Sequence, residues 1–207
     1  MHADLDRRAA VATGTLPWTV CAGGEEKLLE ESDTHGCRRT SIVRLTAGGQ
    51  LAMSAGGSLD LLVLEGEVRA DRTKLGRGMF LHEPAGRMLS TTLGCTLFVK
   101  QRPASRPSRR MLDTSGVVFE PGMSPGLTRA PLHADLDGDV VLLRFAPGTT
   151  TGHHHHDRGE EFFVLDGSVQ DEYGTYGLHA WVRQPADSAH SVTSLEGCVF
   201  FTFAHHL

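Results

Sequence analysis

Three histidines and one glutamate are spaced so that they could bind a single metal ion. Residues 152–160 include a run of four histidines, among them His154 and His156, and end in Glu160; His190 lies further along the chain. Alternate residues of a β-strand share a face, so His154 and His156 should project together. Neutral imidazoles and a carboxylate suit zinc, iron, nickel, copper or manganese. The spacing therefore predicts a metal site built from His154, His156, Glu160 and His190.

The histidine run allows two registers. His153 and His155 would form an equally good pair on the opposite face of the strand. The even numbers of all four expected ligands favour His154 and His156, and in that register the other two histidines point outward. Glu161 is then expected to face away from the site as an exposed carboxylate. A solvated histidine-rich loop without a metal is the alternative.

The two motifs resemble those of a known family. The chain reads His-x-His-x3-Glu-x6-Gly up to Gly167, followed by Pro185-x-Asp187-x2-His190. These are similar to the two cupin motifs, with Asp187 where glycine is usual. The Gly-Glu-Glu step and the Pro-x-x-Ser-x-His ending most resemble the cupin domain of ChrR-type anti-sigma factors, and the resemblance is best over residues 140–203. In the family motif three residues separate the second histidine from the glutamate, as they separate His156 from Glu160. The resemblance therefore also favours His154 and His156 as the ligand pair.

The resemblance implies a fold, a cofactor and a class of function. The fold is the all-β cupin barrel, a double-stranded β-helix or jelly roll. The cofactor is one divalent metal ion, zinc first, with iron, nickel or manganese as alternatives. In ChrR-type proteins the sigma-binding activity resides in a separate helical domain with its own zinc motif, which this chain lacks, so we do not expect it to inhibit a sigma factor by itself. Cupin barrels commonly pair through sheet edges, which implies a homodimer.

The chain repeats itself at an offset of about one hundred residues, which is the size of a whole domain. The matching segments are 43–48 with 143–148, 63–66 with 164–167, and 94–99 with 197–202. We therefore expect two tandem cupin barrels, a bicupin. The expected boundaries are an N-terminal barrel at 1–101, a Pro- and Arg-rich connector at 102–131 and a C-terminal barrel at 132–207.

The first half lacks the ligand residues of the second. Aligned on the repeat, the positions of His154, His156, Glu160 and His190 are taken by Ser54, Gly56, Leu59 and Leu89. His82 is expected to lie off the corresponding site. We expect one metal per chain, in the C-terminal barrel, while the N-terminal barrel packs or pairs without a metal. A metal-independent ligand pocket in the N-terminal barrel is the alternative.

Local patterning predicts strands almost throughout. Short β-branched and apolar runs are bounded by Gly, Pro, Asp and Ser, as in all-β domains. Gly66 and Gly167 each follow such a run and are predicted at hairpin turns. A short helix is predicted at 25–31, and the connector at 102–131 is predicted to be irregular, with an edge strand at 116–120.

Composition limits the possible classes. The chain has 207 residues, 40% of them hydrophobic, and a formal net charge of -5 with both signs mixed, so we expect no nucleic-acid partner. No apolar run is long enough to span a membrane, and the first residues lack a signal core, so we expect a cytoplasmic protein without a membrane partner. The four cysteines are widely spread, which argues against a disulfide framework; Cys95 and Cys198 should be buried strand residues.

Three histidines and one glutamate leave a coordination position open for a ligand, as in reactive metal sites. We therefore expect a small-molecule ligand or substrate. The first hypothesis is a sensory or small-ligand-binding protein. The alternative, which the cupin resemblance also implies, is a metal-dependent dioxygenase, or other small-molecule enzyme, acting on diketones or hydroxyaryl ketones. The sequence does not decide whether the protein is an enzyme.

Other residues near the site are expected to have structural roles. Four apolar residues are expected to pack in the core, and a place in the wall of a pocket is the alternative for each: Phe162, Val164, Trp181 and Phe200. Three on the connection between the motifs are expected on surface hairpins: Tyr173, Tyr176 and His179. Two near the end of the chain are expected in a frayed tail: His205 and His206.

Overall fold

The computed structural model describes residues 2–33, 38–52, 57–84, 86–103 and 108–205. Regular structure in these residues is β-strand, apart from two 3-10 turns at Thr13–Thr15 and Thr114–Gly116. The chain divides into two compact units. The first barrel comprises Met1–Ala3 and Pro17–Val117, and the second barrel comprises Asp4–Leu16 and Val118–Leu207. The predicted all-β fold with two tandem barrels is confirmed.

The described strands are, in chain order, β1 (Ala9–Ala12), β2 (Thr19–Cys21), β3 (Gly24–Ser32), β4 (Arg38–Leu45), β5 (Gln50–Ala52), β6 (Ser58–Ala70), β7 (Thr73–Gly76), β8 (Met79–Pro84), β9 (Met88–Ser90), β10 (Cys95–Arg102), β11 (Arg110–Asp113), β12 (Glu120–Pro121), β13 (Leu127–Asp135), β14 (Gly138–Phe145), β15 (Thr149–Thr150), β16 (His154–His156), β17 (Glu160–Gly167), β18 (Val169–Asp171), β19 (Gly174–Tyr176), β20 (Ala180–Gln184), β21 (Ser188–His190), β22 (Thr193–Ser194) and β23 (Cys198–Ala204).

The first barrel is an antiparallel jelly roll with an aliphatic interior. One sheet has the strand order β11-β8-β6-β10-β4-β3-β2, and the opposite sheet is formed by β5, β9, the second half of β6, and β7. Alternate residues of these strands point inward and form one apolar cluster. The cluster includes Leu59, Leu81, Leu89 and Val99, all nearly or fully buried.

The second barrel follows the same plan. Its large sheet has the order β1-β20-β17-β23-β14-β13-β12, and β15-β22-β18-β19 and the pair β16-β21 form the rest. The core is more aromatic, with Phe145, Phe162, Phe200 and Tyr176 in one cluster. Even-numbered residues of β17 and β23 and odd-numbered residues of β14 face this interior.

Glycine allows each barrel to pass a strand from one sheet to the other. Gly66 and Gly167 have φ of +72° and +68°. Each lies next to a β-bulge, and a Cβ would fall 2.4 Å and 2.0 Å from a carbonyl oxygen of the neighbouring strand. The predicted hairpin turns at these glycines are therefore wrong: Gly66 lies inside β6 and Gly167 ends β17, where a bulge redirects the chain.

Two other predictions about elements are also wrong. The segment 25–31 is strand β3 and not a helix. Its Glu, Lys and Leu residues favour a helix locally, but pairing with β2 and β4 overrides that propensity. The connector 102–131 contains β11, β12 and the start of β13. Pro121 lies in the edge strand β12 and Pro131 at a bulge of β13, which are the positions where a sheet tolerates proline.

The barrels are not divided where the repeat suggested. Residues Asp4–Leu16 belong to the second barrel, because β1 pairs antiparallel with β20 from Ala9↔Arg183 to Ala12↔Ala180. The guanidinium of Arg183 also donates hydrogen bonds to the carbonyl oxygens of Asp4 and Arg7, at 2.6 Å and 2.9 Å. The first strand of the chain thus completes the sheet made by its last half.

Candidate metal centre

Three histidines converge in the second barrel. His154 and His190 are direct ladder partners across β16 and β21, and His156 lies two residues along the same face. One ring nitrogen from each of the three lies within 4.8 Å of the other two. The Nε2 atoms of His156 and His190 are 3.0 Å apart. These side chains therefore present their nitrogen atoms to one common point.

Glu160 brings a carboxylate to the same point. It is the first residue of β17, directly after the Asp157–Gly159 turn, in which the Gly159 amide bonds to the His156 carbonyl oxygen. Its Oε2 lies 3.6 Å from His156 Nε2 and 3.7 Å from His190 Nε2. Two atoms bound to one ion at about 2.1 Å each lie no more than about 4.2 Å apart. The observed distances meet this limit, so the three groups fit a single transition-metal ion.

Burial tunes the electrostatics of the site. Burial raises the pKa of Glu160 to about 7, although the nearby His190 opposes the shift. Burial and the neighbouring His190 and His154 lower the pKa of His156 to about 3. Burial also lowers the pKa of His154. His154 and His156 are thus held in the neutral form that a metal binds, and a cation among them would stabilise the otherwise costly Glu160 carboxylate.

The other two histidines of the run face away from this cluster. His155 Nδ1 lies 2.6 Å from Asp157 Oδ1, and the side chain is half exposed. His153 is also exposed and lies 4.0 Å from Glu172. Glu161 differs from its prediction: it does face away from the cluster, but it is fully buried, and its Oε1 accepts a hydrogen bond from Trp181 Nε1 at 2.8 Å.

An acidic residue that sequence reasoning missed orients His190. Asp171 Oδ2 lies 3.4 Å from His190 Nδ1, and Gln184 Nε2 lies within 3.2 Å of both groups. Burial opposes ionisation of Asp171, but hydrogen bonds from His190 and Tyr176 outweigh it and lower its pKa to about 2. A carboxylate behind a ligating imidazole fixes its orientation and increases its basicity. Nδ1 of His190 is thus engaged by Asp171, and Nε2 faces the cluster.

The start of the chain supports this arrangement. The guanidinium of Arg8 lies 3.6 Å from Asp171 Oδ2, hydrogen-bonds the Tyr176 hydroxyl, and lies over the rings of Tyr173 and Tyr176. The Tyr176 hydroxyl donates to Asp171 Oδ1 at 2.7 Å. Tyr176 lies on the predicted hairpin, formed by β18 and β19, but it is buried and not on the surface, whereas Tyr173 and His179 are exposed. No local spacing could have shown this link, because Arg8 lies at the opposite end of the sequence.

His154 is oriented by the segment between β15 and β16. Its Nδ1 lies 3.0 Å from the Gly152 carbonyl oxygen and 3.4 Å from Thr151 Oγ1. The hydroxyl of Thr151 accepts a hydrogen bond from the Val192 amide at 2.9 Å, which ties this segment to the one that links β21 and β22. The imidazoles of His154 and His190 are consequently held by groups within the second barrel.

A cavity of about 490 Å³ opens onto the cluster. His154, His156 and Glu160 form one side of it. The remaining wall is mainly apolar, with Leu127, Val141, Leu143, Phe145, Val192 and Phe200 among its residues, but it also includes the charged Arg129 and Asp139. Phe200 thus lines the cavity, while Phe162 and Val164 pack in the core as predicted. His205 also lines the cavity and does not belong to a frayed tail, since its amide bonds to the Gly159 carbonyl oxygen; His206 lies outside the described residues.

The first barrel replaces the glutamate with leucine. Leu59 pairs with Glu83 as Glu160 pairs with Gln184, and Leu59 is fully buried in the aliphatic core. Two predicted counterparts lie outside the described residues: Ser54 and Gly56. Within the described part of the first barrel alone, no three metal-binding side chains approach one another closely enough for one ion.

The predicted match between Leu89 and His190 is wrong. Leu89 pairs with Leu51, and the equivalent contact in the second barrel is the hydrogen bond from the Thr151 amide to the Val192 carbonyl oxygen, at 2.8 Å. Leu89 is therefore the counterpart of Val192. The sequence alignment missed this because the stretch leading into the small sheet is longer in the second barrel.

Two of the sequence predictions concern the cysteines and membrane-spanning segments. Cys95 and Cys198 are buried strand residues as predicted, and burial raises the pKa of their thiols to about 11 and about 12. Within the ranges given above, no helix has the length and apolar character needed to cross a bilayer.

The chain belongs to the ChrR cupin-like family. The family described as "ChrR Cupin-like domain" matches it twice, over residues 6–105 and 107–207, so both barrels are cupin domains. This agrees with the resemblance of the motifs in the sequence and with the repeated architecture. No curated protein sequence matches the chain.

Solved structures with the same fold include proteins of different activities. A candidate dioxygenase from Nostoc punctiforme aligns with a TM-score of 0.79 at 16% identity, covering 98% of this chain and 84% of that chain. Protein Ylba from E. coli aligns with a TM-score of 0.78 at 13% identity, covering 98% and 92%. A deletion mutant of the Bacillus subtilis oxalate decarboxylase OxdC aligns with a TM-score of 0.64 at 13% identity, covering 95% and 76%. At these identities the likeness extends to the fold alone.

Proposed function

We propose that the second barrel binds one divalent metal ion through His154, His156, Glu160 and His190, and that this metal holds a small molecule in the adjoining cavity. The observation that supports this proposal most directly is that the cavity of about 490 Å³ opens onto the histidine cluster. A purely structural site would be closed, whereas a site with an open position can bind a ligand.

The residues of this site have different roles. His154, His156, His190 and Glu160 supply the ligand atoms, and Asp171 holds the His190 ring. The apolar wall limits water and strengthens electrostatic interactions with a bound molecule. The metal would supply a Lewis acid to an oxygen atom of the ligand. The donor set suits zinc, which the family resemblance favours, and also iron, nickel or manganese.

Sensing or binding of a small molecule is the first form of this proposal. It predicts that ligand binding changes metal retention or the oligomeric state, and we propose a homodimer as the resting state. The test begins with elemental analysis of protein purified without chelators or nickel columns. A protein that takes up no metal at the second barrel, or one that loses none when Glu160 or His156 is replaced, contradicts the proposal.

Dioxygenase activity is the second candidate. It is supported by the mainly apolar cavity beside the ligand cluster and by the fold shared with a candidate dioxygenase. Oxygen uptake by the iron-loaded protein with β-diketones and hydroxyaryl ketones tests it, with the zinc-loaded protein as control. Turnover by the iron-loaded protein but not by the zinc-loaded protein supports dioxygenase activity. Ligand binding without turnover, whichever metal is bound, supports a binding or sensory protein.

A further inference from the structure

Thr202 is a buried residue in the wall of the cavity. The residue lies in β23, is 2% exposed, and lines the cavity next to the cluster. Its Oγ1 has no hydrogen-bond partner among the described residues. Its neighbours across the ladder are Val141 and Phe162, which offer no polar side-chain atom. A buried hydroxyl without a partner lowers stability, so this group is better explained by a ligand than by packing.

The first barrel shows that the fold does not need this hydroxyl. Val99 is the counterpart of Thr202: it pairs with Ser41 and Leu61 as Thr202 pairs with Val141 and Phe162. Valine has nearly the same shape without the polar atom. The position is thus apolar in the first barrel, and in the barrel with the histidine cluster it carries a hydroxyl.

Thr202 is one diagonal step from the candidate metal ligand Glu160. Glu160 pairs with Ala204, and Thr202 lies two residues before Ala204 on the same face of β23. Such diagonal neighbours in a sheet are about 7–8 Å apart. One small molecule can therefore place an oxygen atom beside Glu160 and a second polar atom beside the Thr202 hydroxyl.

The rest of the wall defines the body of such a molecule. Leu143, Phe145, Val192 and Phe200 surround the space beyond Thr202. Resting on the function proposed above, we propose that Thr202 is a ligand-binding residue: its hydroxyl bonds to a second oxygen atom of a compact, mainly apolar molecule whose first oxygen atom binds the metal. Aromatic acids with an additional hydroxyl have this chemistry.

The test compares two probes that differ by one oxygen atom, 3-hydroxybenzoate and benzoate. Binding of each to the zinc-loaded full-length protein is measured by titration calorimetry. The variants are Thr202→Val, which removes the hydroxyl and keeps the shape, and Thr202→Ser, which keeps the hydroxyl. Thr175→Val, on the exposed side of β19, is the control for the same atomic change.

We expect Thr202→Val to weaken 3-hydroxybenzoate binding by about threefold to tenfold, the effect of one neutral hydrogen bond, and to leave benzoate binding and zinc content unchanged. Thr202→Ser and Thr175→Val should retain the preference for the hydroxylated probe. The unfolding midpoint of Thr202→Val should stay constant or rise, because an unpaired hydroxyl is removed.

Three results overturn the inference. Equal weakening of both probes, with a lower unfolding midpoint, would make Thr202 a packing residue. Unchanged binding of 3-hydroxybenzoate to Thr202→Val would leave the hydroxyl without a ligand role. Failure of the zinc-loaded protein to bind either probe would refute the ligand class, while failure to retain zinc, iron, nickel or manganese would refute the proposed function itself.

Discussion

Replacing Glu160 by leucine should make the second barrel more stable and unable to hold its metal. The substitution introduces the residue that Leu59 supplies at the equivalent position of the first barrel, where it is fully buried in the core. Glu160 is buried beside His156 and His190, and burial raises its pKa from the ordinary 4.5 to about 7. The metal-free protein therefore has to bury a carboxylate once the pH exceeds this value.

The magnitude follows from the pKa of Glu160. Because its pKa is higher in the folded chain than in the unfolded chain, its contribution to stability is full below about pH 4.5 and is lost as the pH rises through 7. The difference between 4.5 and about 7 corresponds to about 3 kcal/mol at pH 8 and to only about 1 kcal/mol at pH 5. Glu160→Leu should thus raise the free energy of unfolding of the metal-free protein by about 3 kcal/mol at pH 8 and by about 1 kcal/mol at pH 5.

Urea unfolding in the presence of a chelator, followed by tryptophan fluorescence, measures both values. Glu160→Gln is the matched control, since it removes the charge without adding an apolar side chain. A stability gain that is the same at both pH values would show that apolar burial alone is responsible. A loss of stability at pH 8 would refute the electrostatic reasoning.

The remaining predictions concern single side chains. His156→Ala should abolish stoichiometric metal binding and His155→Ala should leave it nearly intact, by elemental analysis; equal losses would overturn the assigned register. Asp171→Asn should weaken metal affinity by about tenfold to a hundredfold in a chelator competition, because it removes the carboxylate behind His190; unchanged affinity would show that Gln184 suffices. Leu89→Ala should lower the free energy of unfolding by about 2–5 kcal/mol without altering metal content, since the side chain is fully buried in the core of the first barrel.

The candidate site was predictable because its members obey a local rule. His154 and His156 lie two apart in a strand, so alternation alone places them on one face, and the structure pairs that strand with His190. Glu160 follows a turn short enough to return the chain to the same point. The two barrels were predictable for a similar reason, since each half repeats the same apolar runs.

The supporting groups were not predictable because they depend on distant segments. Asp171 and Arg8 meet only after the first strand of the chain has paired with β20. The alternation of side chains along the strand correctly predicted that Glu161 points away from the cluster. It could not predict that Glu161 is buried, because that depends on the neighbouring Trp181. The counterpart of Leu89 was misassigned because a difference in loop length is invisible until the ladder is known.

The pairing of β1 with β20 has a consequence for how the protein is made. Strand β1 is translated well before β20, so it must wait without a partner strand until β20 has been made. A fragment starting at residue 118 would leave β20 as an open edge that could recruit strands from other molecules. The same fragment would separate Asp171 from Arg8. Cutting the gene at the boundary of the duplication would therefore remove one strand from the large sheet of the second barrel.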